Sequence, residues 1–194
     1  MLKGKQITVR PMRLADVAPF HEQSLDLDSR GPWFPLPGTS LAAFEKAFAE
    51  SGLWTHQKGT FAITDKADRV IGNVSWGQLN GDVPDIELGY RLNSPADSGK
   101  GIVTEALGLM TEWLFATQPQ ANRLSLTIHV DNLASLRVAE KCGFIREATF
   151  REAWYNRGHW HDVAISNITR REFEARRDSS VRRGADATSL MAVG

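Results

Sequence analysis

The stretch Ser98-Gly99-Lys100-Gly101-Ile102-Val103-Thr104-Glu105-Ala106 has the residue types needed to hold an anion. Its two glycines let the main chain approach a ligand closely. A helix starting near Gly101 would leave its first N–H groups unpaired and add a partial positive charge. A pyrophosphate fits such a cradle. A glycine pair before a helix is also an ordinary tight turn, so the surrounding residues decide between the two readings. The segment has neither the Gly-x-x-x-x-Gly-Lys-[Ser/Thr] spacing of a nucleotide hydrolase nor the three-glycine fingerprint of a dinucleotide fold, which points to a different phosphate-bearing ligand.

A second cluster follows. Ile128-His129-Val130-Asp131-Asn132-Leu133-Ala134-Ser135-Leu136-Arg137-Val138-Ala139-Glu140-Lys141-Cys142-Gly143-Phe144 reads as a strand end, a helix from about Asn132 to Ala134 onward, and a glycine stop. With Glu87-Leu88-Gly89-Tyr90-Arg91-Leu92 ahead of the cradle, the order and spacing resemble the acyl-CoA-binding core of the GNAT acyltransferase superfamily, in its RimJ/RimL-like branch, over roughly residues 5 to 175. The superfamily loop usually carries Gln or Arg three residues before its first glycine. This chain has Ala96 there, which removes one phosphate contact and leaves the backbone donors from Gly99 to Val103 as the main expected cradle.

The resemblance implies an α/β (α+β) GNAT fold: a mixed, mostly antiparallel sheet flanked by helices, with two strands splayed around the acyl-CoA arm. Those strands would be Ile86 to Leu92 and Leu124 to Val130. Leu88, Tyr90 and Leu92 would meet the pantetheine arm, Ser98, Gly99, Lys100, Gly101, Ile102 and Val103 the diphosphate, and Asn132 and Ser135 the pantetheine and the sulfur. Direct transfer to an amine needs a neutral nucleophile, a polarised thioester carbonyl and a proton donor for the departing thiolate. Glu87 is the expected general base, or else a carboxylate that only orients substrate. Ser135 is the expected hydrogen-bond donor to the thiolate, with Tyr90 and Tyr155 in reserve. Asn132 and Ser135 are also ordinary helix-capping residues. Cys142, inside the expected helix, reads as a small packing residue.

The acceptor side is read from Trp33, Phe34, Trp76 and Trp154, with His21 and Arg30 as polar readers. Two large aromatics in the Pro- and Gly-rich stretch from Asp28 to Gly38 are an unusual use of side chains for a solvated loop. His129 alternates with apolar neighbours and either faces the cleft or is a buried, satisfied histidine. The five histidines form no ligand motif, and no metal is expected.

The elements that must position these residues read in the order β-α-α-β-β-β-α-β-α-β-β. Strands are expected over 7–10, 59–64, 70–79, 86–92, 124–130, 150–156 and 160–169. Helices are expected from Asp16 towards Ser24, from about Ser40 to Ser51, from Gly101, where Ile102, Ala106, Leu109, Met110, Trp113 and Leu114 recur at helical spacing, and over 134–141. A single domain over 1–175 is expected, with 176–194 a polar tail and the Arg-rich chain fraying from Arg170.

At 194 residues and 42% hydrophobic content the chain can bury one sizeable core, and its 23 basic and 23 acidic side chains balance, so no overall field favours nucleic acid or an anionic membrane. One cysteine excludes an intramolecular disulfide. Met1 to Gln23 has no apolar core of signal-peptide length, and cytoplasmic residence is the expectation. The expected donor is acetyl-CoA or another acyl-CoA, with an acyl carrier protein as an alternative. The expected acceptor is an amine-bearing small molecule or a protein N-terminus, with an antibiotic- or toxin-modifying or biosynthetic acyltransferase as the alternative, and a homodimer is possible. A GNAT-shaped module that holds CoA without catalysis is the competing class.

Overall fold

The computed structural model describes residues 1–26, 30–34, 39–79 and 85–179. Positions 27–29 and 35–38 of the aromatic-bearing loop, 80–84, and 180–194 of the expected tail lie outside the described residues.

Eight strands form one sheet in the order β1-β2-β3-β4-β5-β6-β8-β7. These are β1 (Leu2–Lys3), β2 (Thr8–Pro11), β3 (Lys58–Thr64), β4 (Val70–Gln78), β5 (Asp85–Leu92), β6 (Arg123–His129), β7 (Ile145–Asn156) and β8 (His159–Thr169). Every neighbouring pair is antiparallel except β5 and β6. The helices are α1 (Leu14–Leu25), α2 (Leu41–Ser51), α3 (Ile102–Thr117), α4 (Leu133–Cys142) and α5 (170–179). Beyond the expected order the chain adds the short β1 and the helix α5.

One face of the sheet packs on α3, whose Ile102, Ala106, Leu107, Met110 and Leu114 are buried against Val9, Ile63, Val74, Ile86, Leu124 and Ile168. Alternation decides which side chains go there, because successive strand residues point to opposite faces. In β5, Ile86 and Leu88 enter this core and Tyr90 and Leu92 pack at its border, so Glu87, Gly89 and Arg91 occupy the other face. That face belongs to α1, since Arg91 lies over the Phe20 ring at 5.9 Å. The rings of Phe20 and Phe44 stack at 5.5 Å and fasten α1 to α2.

With Asp16 read as its cap, helix α1 starts three residues earlier than expected. Arg13 occupies the N-cap position, and Asp16, expected to cap, is the third helical residue, where its carboxylate accepts the Arg13 N–H at 2.7 Å. Asp16 also receives Arg10 Nη1 at 2.7 Å, and Arg10 Nε reaches Asp68 at 2.9 Å, so a guanidinium 3% exposed is held between two carboxylates. Ser40 caps α2 through the Ala43 N–H.

The expectation that the chain frays from Arg170 is corrected for 170–179, which continue as helix α5. The charge of Arg170 is spent on main-chain carbonyls, with Phe115 O at 2.8 Å and Gln118 O and Ala121 O at 2.9 Å. The Phe173 ring meets that of Phe115 in a tilted contact, centroids 5.1 Å apart. Both contacts dock the helix beside the end of α3.

Candidate active site

The parallel pair β5–β6 is joined only at Asp85–Arg123, Ile86–Leu124 and Glu87–Ser125. Beyond Glu87 the strands diverge, while β5 stays paired to β4 through Leu92 and β6 stays paired to β8 through His129. A cavity opens in the gap, lined by Leu88, Gly89 and Tyr90 from β5, by Leu126, Thr127, Ile128 and His129 from β6, by Asn132 and Ser135 of α4, and by Trp33, Phe34 and Trp154. The β6-facing edge of β5 beyond Glu87 is thus a row of main-chain groups without a strand partner, available to a ligand bearing amides.

At the far end of β5 lies the glycine loop. Gly99 and Gly101 have φ of +76° and +80°, in the left-handed region that favours glycine. Among the described residues, the N–H groups of Gly99, Lys100, Gly101, Ile102 and Val103 have no acceptor within the chain, whereas those of Ser98 and Glu105 close local turns. Lys100 Nζ pairs with Asp97 at 2.9 Å, so the loop's attraction for an anion comes from its backbone and from the α3 N-terminus more than from the lysine. Glu105, in the first turn of α3, accepts the Lys5 and Gln6 N–H groups and braces the loop against the N-terminal segment. A Cβ at Gly99 would meet nothing within 4 Å, so Gly99→Val should cost backbone conformation rather than space. We expect about 1–2 kcal/mol of strain and a CoA affinity lower by roughly 5- to 30-fold, measured by calorimetry.

The cavity brings together residues distant in sequence. The hydroxyls of Tyr90 and Ser135 lie 2.7 Å apart, and burial pushes the Tyr90 phenol up to about 12, so it stays protonated at neutral pH. The Ser135 N–H donates to Asn132 Oδ1 at 3.1 Å. Asn132 therefore caps α4 with its oxygen and keeps its amide nitrogen as a donor toward the cavity it lines. The His129 ring, 5% exposed, sits between Trp33 and His161, each with ring centroids 4.6 Å away. Its Nδ1 accepts the Asp131 N–H at 3.1 Å, which in the neutral ring leaves the proton on Nε2. Burial first and His161 second hold its pKa below the usual value, against the opposing pull of Asp131 and Asp162.

Of the acceptor-side candidates, Trp33, Phe34, His129 and Trp154 line the cavity. Trp76 does not: it is 3% exposed in the core beneath the sheet and meets Trp113 edge-on, on the face opposite Glu87. His21 is also corrected. It is buried with Nε2 2.9 Å from Thr39 O, fastening the start of α2 to α1. Arg30 donates to Ser24 O and lies near enough to Arg91 for the two charges to interact. Leu92 packs at the core border. Glu87 is half-buried at the last rung before the strands part. Cys142 donates to Thr104 O at 3.3 Å, and burial pushes its thiol up to about 11, as befits a packing residue. The sequence reading missed Thr127 and His161; the alternation Ser125-Thr127-His129 on β6 carried the signal for the first.

Comparison with known proteins agrees with this arrangement. Residues 6–145 match the model of the Acetyltransferase (GNAT) domain family. The Bacillus subtilis (strain 168) protein named "Probable N-acetyltransferase YjcK" is 32% identical over 182 residues, spanning 87% of this chain and 96% of its own. The spermidine N-acetyltransferase of Vibrio cholerae, solved with CoA and spermine, shares the fold with a TM-score of 0.77 at 20% identity, over 88% of this chain and 99% of that one. Mycobacterium smegmatis RimJ, solved with a CoA-disulfide, does so with a TM-score of 0.71 at 24% identity, over 86% and 83%. With a matched domain of this extent laid over a sheet whose parallel pair parts beyond Glu87, the chain belongs to the GNAT acetyltransferase family.

Proposed function

We propose that this protein transfers the acetyl group of acetyl-CoA to a primary amine by direct attack, the amine belonging to a small molecule or to a protein N-terminus. The observation that carries this reading is the parting of β5 and β6 beyond Glu87, with the Tyr90–Ser135 hydroxyl pair inside the gap and unpaired N–H groups at its end. Bound acetyl-CoA supplies an activated carbonyl and a thiolate leaving group.

The chain's own residues supply the rest. The Gly99 to Val103 N–H groups hold the diphosphate, and a row of this length supports CoA over an acyl carrier protein as donor. The free edge of β5 and the Asn132 amide align the pantetheine arm. Glu87 takes the proton of the incoming amine, and the Ser135 hydroxyl, backed by a neutral Tyr90, donates to the departing sulfur. Trp33, Phe34 and Trp154 shield the reacting atoms from water. Retention of both hydroxyls and the carboxylate around one cavity favours a catalyst over a silent CoA-holding module. Phe150, Tyr155 and Trp160, exposed on the β7–β8 hairpin, are the side chains available to a homodimer contact.

The test is CoA-thiol release from acetyl-CoA against peptides with varied N-termini, polyamines, amino acids and aminoglycosides. Acceptor-dependent release, slowed about 10- to 100-fold by Ser135→Ala, supports the reading. Tight CoA binding with no release for any acceptor rejects it in favour of the silent module.

A further inference from the structure

Arg91 is 8% exposed, and its guanidinium makes no hydrogen bond or ion pair among the described residues. Its guanidinium lies over the Phe20 ring at 5.9 Å. Burial first, and the nearby Arg30 guanidinium second, lower the Arg91 pKa. Buried arginines are ordinarily paired with carboxylates, because an unpaired buried charge costs several kcal/mol. The same chain does pair its other deeply buried guanidinium, placing Arg10 between Asp16 and Asp68.

The position of Arg91 gives the missing charge a use. It lies on the same face of β5 as Glu87 and Gly89, and Gly89 lines the cavity between the parted strands. Its Cα is about 13 Å along the strand from that of Glu87, a span two extended side chains shorten to the length of a small acceptor.

We propose that Arg91 binds a carboxylate of the acceptor, so that the amine acetylated by this protein carries a carboxylate within about 10 Å of its nitrogen. This rests on the acetyl-transfer reading above. The two sources of that chemistry are a free amino acid and a peptide with an acidic side chain next to its N-terminus. A polyamine, which brings only positive charge to a buried guanidinium, is disfavoured.

Matched pairs test the assignment: lysine against cadaverine, and Ala-Asp amide against Ala-Asn amide, each assayed for kcat/KM by CoA release. The carboxylate-bearing member is expected to be preferred roughly 10- to 100-fold, the usual worth of a hydrogen bond to a charged group. The pair showing the larger ratio identifies the source. Arg91→Gln should bring the ratio toward one, with Arg91→Lys between. Glutarate titrated into the wild-type protein by calorimetry reads the same pocket without turnover or a variant, and should compete with the acceptor and not with acetyl-CoA. Equal or better use of cadaverine and Ala-Asn amide, or no glutarate binding, overturns the inference while leaving acetyl transfer standing. Glutarate binding lost in Arg91→Gln, with no acceptor acetylated, upholds the anion site and overturns the transfer reading instead.

Discussion

Glu87→Gln is expected to lower kcat by about 10²- to 10⁴-fold while the affinity for CoA holds, because it removes a proton acceptor and preserves shape. The expectation rests on where the carboxylate stands. Glu87 occupies the last rung at which β5 is bound to β6, on the α1 side of the sheet, one alternation before Gly89 lines the cavity. Stopped-flow single turnover isolates the chemical step. A raised KM with kcat intact would make Glu87 an orienting group and return the base role to another residue or to water.

The second large effect concerns stability. Removing Asp16 leaves Arg10, 3% exposed, with only the half-exposed Asp68 as a charged partner. Breaking a buried pair from one side costs about 3–5 kcal/mol, so Asp16→Ala should lose stability on that scale in urea denaturation at neutral pH. Burial alone would raise the Asp16 carboxyl, but the Arg10 guanidinium and the Arg13 N–H outweigh it and hold the carboxyl below its ordinary 3.8. A carboxylate whose folded pKa is depressed contributes stability that is fully present above the ordinary value and is lost as pH falls through the folded one. The gap between wild type and Asp16→Ala is therefore constant near neutrality and narrows below about pH 3.8. A gap of under 1 kcal/mol at pH 7 would mean that Asp68 and solvent suffice for Arg10.

Much of the cofactor side was legible because it is written in local sequence. Gly99 and Gly101 with the apolar spacing of α3, and Asn132 three residues before Ser135, define a cradle and a capped helix without tertiary knowledge. The acceptor side depends on parity, which one strand does not reveal. Trp76 looks like a pocket aromatic until its register opposite Leu88 places both on the core face. Arg91 looks like an ordinary solvent-facing alternation until α1 covers it with Phe20. The Tyr90–Ser135 contact joins positions 45 apart. Helix α5 escaped detection for a related reason: Arg170 reads as tail-like charge, yet its partners are the carbonyls that end α3.

A sheet normally keeps its unsatisfied edges at its rim, where another chain can add to them and where charged residues and bulges must guard against aggregation. Here a second pair of edges is folded into the interior, because β5 and β6 part company after Glu87 while each keeps its other neighbour. Leu88, Gly89 and Tyr90 on one side and Leu126, Thr127, Ile128 and His129 on the other line the opening between them. An unpaired strand edge inside the sheet, rather than at its rim, is thus where main-chain groups stand open to a partner of matching hydrogen bonds. Amide exchange along Leu88 to Leu92 should be slowest when a CoA arm completes the row, making the sheet itself the reporter of donor binding.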